Sequence, residues 1–280
     1  MDATLTSAAR DAREPEAELD RGRPRHGALL ECRGLSKWFG PVQALEDVDF
    51  DVYPSEVVAL VGDNGAGKST LIKAISGIQP ADAGTITFEG RRVDIKWPGD
   101  ATRLGIETVY QDLALCDNLD TVANLFLGRE LVGPDRLPAL LHVLAEPDME
   151  QRAGVRLDDL GVTTISSLRT PVGALSGGQR QAVAVARSTL WNARLLILDE
   201  PTAALGVTQT AQVLELIKLL RSKGLGVVVI SHNIDVVFEV ADRIVVLYVG
   251  RRIATFQRAE TSREEVVSAI VGLAQDRARG

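Results

Sequence analysis

A glycine-rich stretch directly after a short apolar run constrains this 280-residue chain more than any other feature. Residues 62–69 are Gly-Asp-Asn-Gly-Ala-Gly-Lys-Ser, and residues 57–61 before them form a β-branched apolar run typical of a buried parallel strand. Glycine tolerates the backbone conformations that turn successive N–H groups inward, towards the oxygens of a phosphate. The order therefore predicts a strand, a phosphate-binding loop and a helix that begins near Lys68.

The side chains of this loop suit a nucleotide together with its metal ion. Lys68 can neutralise the outer phosphates, Ser69 offers a hydroxyl to Mg2+, and the positive end of the following helix faces the same anions. A chance glycine-rich turn is the alternative, and the predicted strand and helix on either side argue against it. The candidate ATP contacts are Gly62, Asp63, Asn64, Gly65, Ala66, Gly67, Lys68, Ser69 and Thr70.

Two acids follow a second apolar run, at residues 195–198. Ligands of open parallel sheets bind at the carboxyl ends of the strands, so Asp199 is placed to hold Mg2+. Glu200, the next residue, is placed to polarise a water for attack on the γ-phosphate of ATP. Acids that merely cap an exposed strand end are the alternative. The fixed strand favours hydrolysis instead.

Residues 175–179 are Leu-Ser-Gly-Gly-Gln, which we call the signature segment. With the phosphate loop and the two acids, it resembles the ATP-binding cassette (ABC) family, in which this segment binds the γ-phosphate held by the opposite subunit. Its candidate contacts are Ser176, Gly177, Gly178 and Gln179. Physically, Ser176 can cap a helix whose first N–H groups are exposed to an anion, although an ordinary capped helix has the same pattern.

Three weaker features occupy positions that match the family. Gln111 is similar to the glutamine that touches metal and water, and His232 to the histidine that senses the γ-phosphate. Phe39 resembles the aromatic residue that stacks on adenine, with the neighbouring Trp38 as the alternative ring. Taken singly, such residues are more often surface, structural or core residues. Their order around the stronger motifs supports the functional interpretation.

The resemblance implies an α/β fold with a P-loop NTPase (RecA-like) core, an antiparallel β subdomain and an inserted α-helical subdomain. We expect residues 28–111 and 190–273 to form the catalytic core with the β subdomain, and residues 112–189 the helical subdomain. Residues 1–27, rich in charge of both signs, are predicted to be a disordered tail, and 274–280 a short second tail.

Local patterns add detail to this layout. Helical spacing after Asp112 is interrupted at Gly133-Pro134, Pro138 and Pro147. Residues 213–220 and 262–273 are predicted helices, the latter capped by Ser262. Gly250-Arg251 is predicted to be a hairpin turn.

Residues 110–115 and 201–207 are similar to the ATPase subunits of bacterial simple-sugar importers, in particular the single-cassette, fructose-type members, over residues 29–273. This resemblance implies a homodimer at the cytoplasmic face of the inner membrane that drives monosaccharide import. It also implies a separate membrane permease, fed by a periplasmic sugar-binding protein. An ABC exporter ATPase, a soluble ABC ATPase without a transport role and a subunit that only binds nucleotide are the alternatives.

Composition and charge narrow the classes of protein to which this chain can belong. A formal net charge of −7 argues against a general nucleic-acid binder, so no nucleic-acid partner is expected. Cys32 and Cys116 have no metal-ligand spacing and are predicted to be free thiols. The sequence has no apolar run of the ~18 residues that a membrane span needs, and its first residues lack the apolar region of a secretory signal.

The chain departs from the wider family at Gly206, where most members have an aspartate that couples the two ATP sites. Glycine has no side-chain acceptor, so backbone atoms or Thr208 replace that contact, or the two sites act less symmetrically. Because Glu200 and His232 are present, we expect hydrolysis to survive this departure. A simple turn residue before a helix is the other interpretation of Gly206.

Overall fold

A computed structural model describes residues 27–133 and 144–272 of the chain. The strands, numbered along the chain, are β1 (Leu30–Phe39), β2 (Val42–Val52), β3 (Val57–Val61), β4 (Ala83–Phe88), β5 (Arg91–Val93), β6 (Ile106–Val109), β7 (Leu195–Asp199), β8 (Gly226–Ile230), β9 (Arg243–Tyr248) and β10 (Arg251–Gln257). The helices are α1 (Lys68–Ile75), α2 (Pro98–Leu104), α3 (Thr121–Phe126), α4 (Glu146–Asp159), α5 (Gly177–Thr189), α6 (Val207–Ser222), α7 (Ile234–Val240) and α8 (Arg263–Ile270), with 3₁₀ turns at Val172–Ala174 and Arg258–Glu260.

A six-stranded sheet of order β10-β9-β3-β8-β7-β6 forms the centre of the fold. All its pairs are parallel except β9 with β10. Every residue of β3 and β8 is buried, as the continuous apolar runs predict for strands covered on both faces. Since β3, β7 and β8 are parallel, the segments that follow them meet at one edge of the sheet.

The second sheet is antiparallel, with the order β2-β1-β4-β5, which confirms the antiparallel sheet predicted before the core. Its apolar face contributes Leu30, Leu35 and Phe50 to a cluster that also contains Leu60 and Ile72 of the central layer. The two sheets are therefore joined by one continuous hydrophobic core.

Helices α3, α4 and α5 lie in the described chain between β6 and β7. Helix α5 is rich in alanine and valine and is almost wholly buried, in a cluster with Phe126 of α3 and Leu157 of α4. The prediction that Pro147 interrupts a helix is wrong, because Pro147 lies in the first turn of α4, where its missing N–H costs no hydrogen bond. The predicted breaks at Pro134 and Pro138 lie outside the described residues.

Other elements differ from prediction mainly at their ends. Helix α6 is longer than the predicted residues 213–220, and the hairpin turn is Val249-Gly250, not Gly250-Arg251. The Ser262 hydroxyl accepts a hydrogen bond from the Glu265 N–H at 3.2 Å, which confirms the predicted cap. Residues 1–26 and 273–280, with the predicted tails, lie outside the described residues. Within the part of the chain that the structure describes, no helix is long and apolar enough to cross a membrane.

Candidate functional site

The phosphate loop (residues 62–69) leaves the carboxyl end of β3 and enters α1, as predicted. Two of its glycines are required by close backbone contacts. A Cβ at Gly62, whose φ is +151°, would lie 2.3 Å from the Leu247 carbonyl oxygen. A Cβ at Gly67, with φ of +102°, would lie 2.8 Å from the carbonyl oxygen of Ala44. The loop is thus held tightly between β9 and β2, in a conformation open only to glycine.

Lys68 folds back over this loop. Its ammonium group donates hydrogen bonds to the carbonyl oxygens of Gly62, at 2.8 Å, and Asp63, at 2.9 Å. Burial lowers the pKa of Lys68, while the charges of Glu200, Asp63 and Asp199 oppose this shift. The lysine therefore supplies a positive charge in the concave side of the loop. Ser69 and Thr70 follow in the first turn of α1, where Ser69 is exposed.

Asp199 ends β7, close enough to Lys68 for electrostatic attraction. Burial raises the pKa of the Asp199 carboxyl, and the neighbouring charge of Glu200 raises it further. A half-buried carboxylate whose charge is disfavoured in this way is suited to binding a cation. Glu200 itself has a φ of +50°, a conformation rarely adopted by residues other than glycine, and such strain is typical of functional sites.

The structure brings Glu200 and His232 together, since they follow the adjacent strands β7 and β8. The Glu200 carboxylate accepts a hydrogen bond from the His232 backbone N–H at 3.1 Å, and its Oε2 lies 2.9 Å from the ring Nδ1 of His232. The Glu200 N–H donates to the Ile230 carbonyl oxygen at 2.9 Å. The imidazole is largely exposed, so it can face a ligand at the sheet edge.

The signature segment begins α5. The Ser176 hydroxyl accepts from the Gln179 N–H at 3.3 Å, and the Gln179 side chain accepts from the Ser176 N–H at 2.9 Å, which forms a capping box. A Cβ at Gly177 would lie 2.8 Å from the Leu205 side chain, and one at Gly178 would lie 3.2 Å from Cβ of Gln209. These glycines thus allow α5 and the start of α6 to pack closely.

The phosphate loop and the signature segment are separate within one chain. Across residues 27–133 and 144–272, no hydrogen bond or ion pair joins residues 62–70 to residues 176–179. Ser176 is exposed. The Ser176 end of the signature segment is therefore open to solvent and makes no hydrogen bond or ion pair, among the described residues, to the phosphate loop of its own chain.

Gln111 and the two candidate aromatic residues are exposed. Gln111 lies two residues after the end of β6, at the same edge of the sheet as Asp199. Trp38 and Phe39 end β1 and are 42% and 43% exposed, so exposure does not distinguish them as the adenine platform. The Lys37 ammonium lies 5.7 Å from the centroid of the Phe39 ring.

Sequence reasoning missed one support of the phosphate loop. The Gly250 N–H donates to the Ala66 carbonyl oxygen at 3.0 Å, and the Gly250 carbonyl accepts from the Glu46 N–H at 2.8 Å. The β9–β10 turn therefore holds the phosphate loop against β2. The sequence indicates a turn at Gly250, but the contact of Gly250 with Ala66 depends on the order of strands in the sheet and has no local sequence pattern.

This fold and site are those of an ATP-binding cassette. The sequence model of the ABC transporter family matches residues 45–203, and the chain belongs to this family. It therefore binds ATP and is an ATPase. A nucleotide-free ATP-binding cassette from an ABC transporter superposes with a TM-score of 0.74 at 26% identity, over 89% of this chain and 99% of that one. The predicted fold class is thus confirmed.

Relatives of this chain include subunits of sugar importers. The fructose import ATP-binding protein FrcA of Rhizobium meliloti is 46% identical, over 87% of this chain and 94% of the relative. The xylose/arabinose import ATP-binding protein XylG of Sulfolobus acidocaldarius is 47% identical, over 88% and 95%. The ribose import ATP-binding protein RbsA of Chromobacterium violaceum is 41% identical over 87% of this chain, but only 47% of the relative is covered.

Proposed function

We propose that this protein is the ATP-hydrolysing subunit that energises import of a monosaccharide through a separate membrane permease. The observation that carries this proposal is the 46–47% identity to the fructose and xylose/arabinose import proteins along nearly their whole length. By analogy, the protein is peripheral at the cytoplasmic face of the inner membrane. A periplasmic sugar-binding protein delivers the sugar to the permease.

The working unit that we propose is a head-to-tail homodimer closing on two ATP molecules. Lys68 and Ser69 of one subunit and Ser176 and Gly178 of the other would hold each nucleotide. The separation of the phosphate loop from the signature segment within one chain supports this arrangement, because each chain then supplies two complementary half-sites. We also assign residues 28–111 and 190–273 to the catalytic core and residues 112–189 to a helical subdomain that moves relative to it.

The side chains at the sheet edge have distinct proposed roles. Ser69, Gln111 and Asp199 would hold the Mg2+ that accompanies ATP, and a cation there would offset the unfavourable charge of the half-buried Asp199. Glu200 accepts the proton of the attacking water. His232, whose backbone N–H donates a hydrogen bond to Glu200, orients that carboxylate, and its ring supports the charge that develops on the γ-phosphate. Phe39 or Trp38 stacks on the adenine.

ATP turnover of the purified wild type beside Glu200→Gln tests the hydrolytic part. Loss of a general base lowers kcat by about 100-fold or more, and light scattering with ATP and Mg2+ then detects an ATP-held dimer of the variant. Glu264→Gln, on α8 and outside the site, is the control and is expected to keep wild-type turnover. Absence of turnover and of dimerisation in the wild type, even with the permease present, would contradict the proposal.

Transport itself is tested in vesicles that contain the permease and this ATPase. Addition of the binding protein loaded with fructose, xylose or ribose is expected to stimulate ATP hydrolysis inside the complex and to move the sugar towards the ATPase side. Movement of solute in the opposite direction would identify an exporter instead.

A further inference from the structure

The loop that follows β6, residues 111–116 (the Gln111 loop), is held by a side chain from α5. Arg187 donates from Nη1 to the Ala114 carbonyl oxygen at 2.7 Å and from Nη2 to the Leu113 carbonyl oxygen at 2.9 Å. Ala114 has a φ of +50°, which an alanine rarely adopts. The arginine fork therefore fixes a strained turn two to three residues beyond Gln111.

A second anchor fixes the far side of the same loop. The fully buried Asn124 side chain of α3 accepts from the Cys116 N–H at 2.8 Å and donates to the Cys116 carbonyl at 3.0 Å. The same amide donates to the carbonyl oxygens of Leu119 and Asp120. The Gln111 loop is thus clamped between two helices, and Arg187 is the clamp nearest to Gln111.

Helix α5 connects this clamp to the signature segment. Ser176 caps its first turn, and Arg187 lies eleven residues further on, which corresponds to about 16 Å along a helix axis. The helix is packed in the core along most of this length. Glu107 of β6 attracts the guanidinium electrostatically, and α5 packs against β6 at the edge of the central sheet.

We propose that Arg187 is a positioning residue for ATP hydrolysis, which fixes the Gln111 loop to the helix that carries the signature segment. A displacement of α5 on binding the γ-phosphate is then transmitted to Gln111 through a rigid helix and two hydrogen bonds. This inference rests on the proposed roles of Gln111 and Ser176. The competing explanation is that Arg187 only satisfies two carbonyl groups and contributes to stability.

Arg187→Lys is the variant that tests this proposal. Lysine keeps the positive charge beside the Cys116 thiol but lacks the planar fork that spans both carbonyl groups. Arg156→Lys is a matched control, because Arg156 of α4 also holds α5, through Thr189 Oγ1 at 3.2 Å and the Thr189 carbonyl at 2.6 Å. Arg156 makes no hydrogen bond to the Gln111 loop within the described residues.

Two readouts separate positioning from stability. The rate of Cys116 labelling by a thiol reagent reports loop opening, since the other cysteine, Cys32, is fully buried. We expect Arg187→Lys to speed labelling by about fivefold, because the loss of one hydrogen bond raises the population of the open loop by about that factor. We expect kcat for ATP to fall by about tenfold or more with little change in KM, as for a group that acts in the transition state. Arg156→Lys is expected to keep the wild-type values of both.

Wild-type kcat and labelling in Arg187→Lys, or equal losses in both variants, would overturn the proposal. If Arg187→Lys does not fold, Cys116 labelling of the Glu200→Gln protein decides instead. ATP with Mg2+ is expected to slow that labelling, and an unchanged rate would mean that nucleotide binding does not reach the loop. A wild type without ATP turnover would contradict the proposed function, whereas full turnover in Arg187→Lys would contradict only this inference.

Discussion

The turn between β9 and β10 contains a strained residue, Val249, whose replacement should change the stability of the protein. Val249 and Gly250 have φ of +44° and +75°, the two positive values that a two-residue type I′ hairpin requires. Asparagine or glycine suits the first position, but valine is β-branched and strained there. Since Gly250 bonds to the phosphate loop through Ala66, the strained turn directly supports the site. We predict that Val249→Asn stabilises the protein.

The magnitude follows from two opposing contributions. A left-handed conformation costs an ordinary residue about 1–2 kcal/mol, and asparagine recovers roughly half or more of this. The Val249 side chain is 68% exposed, so its replacement sacrifices only about 0.5 kcal/mol of apolar burial. The net gain is about 0.5 kcal/mol in the free energy of unfolding, or about 1–2 °C in Tm. Val249→Gly relieves more strain, but its flexible unfolded chain offsets the gain.

Urea and thermal unfolding of Val249→Asn, Val249→Gly and Val249→Ile give the assay. Isoleucine is the matched control, because it is equally β-branched and should bring no stabilisation. The expected order of stability is asparagine first, with glycine and isoleucine near wild type. An asparagine variant no more stable than the isoleucine variant would refute the strain argument at this turn.

Three further predictions concern charge and glycine positions. Gly206→Asp should preserve ATP turnover and stabilise α6 by about a few tenths of a kcal/mol, because Gly206 has a φ of −73° at the N-cap of α6 and open space around its Cβ. Asp199→Asn should abolish turnover, yet raise the urea midpoint at pH 7 in the absence of nucleotide. Because its pKa is raised in the folded state, Asp199 destabilises the wild type once the pH rises through that raised pKa, and it has no such effect below the ordinary carboxyl pKa. The stability advantage of the Asp199→Asn protein over the wild type should therefore vanish in acid. Arg243→Met should cost about 3–5 kcal/mol in urea unfolding, because it leaves Asp51 and Glu56 without their buried guanidinium partner.

Each of these has a clear contrary result. Loss of turnover in Gly206→Asp would show that the segment before α6 is tuned for glycine. An Asp199→Asn protein with the pH profile of the wild type would mean that burial does not disfavour that carboxylate. For Arg243, the control is Lys218→Met, which breaks exposed ion pairs to Glu215 and Glu239 and should cost less than about 1 kcal/mol. Equal losses in the two variants would contradict the role of burial.

Sequence reasoning located the motifs well because each is local. The strand at residues 57–61, the start of α1 at Lys68 and the cap at Ser262 follow from contiguous residues, and the structure has them at those positions. Sequence could not predict the hydrogen bond from Arg187 to the Ala114 carbonyl, because the two residues are 73 positions apart and meet only through the packing of α5. Sequence also could not decide the structural role of Pro147. Proline is common both just after the end of a helix and in the first turn of the next one, and the local pattern is the same in both cases.

The signature segment shows where motif and packing overlap. Glycines at 177 and 178 suit an anion that approaches backbone N–H groups, but the close contacts with the Leu205 and Gln209 side chains also favour the absence of a side chain there. A substitution at either glycine would therefore require Leu205 or Gln209 to shift whether or not an anion binds. The Ser176 hydroxyl is different, since Ser176 is exposed and, among the residues that the structure describes, its hydroxyl bonds only within the capping box. Removing that hydroxyl and comparing helix stability with nucleotide affinity separates the two roles, because the cap accounts for only about 1 kcal/mol.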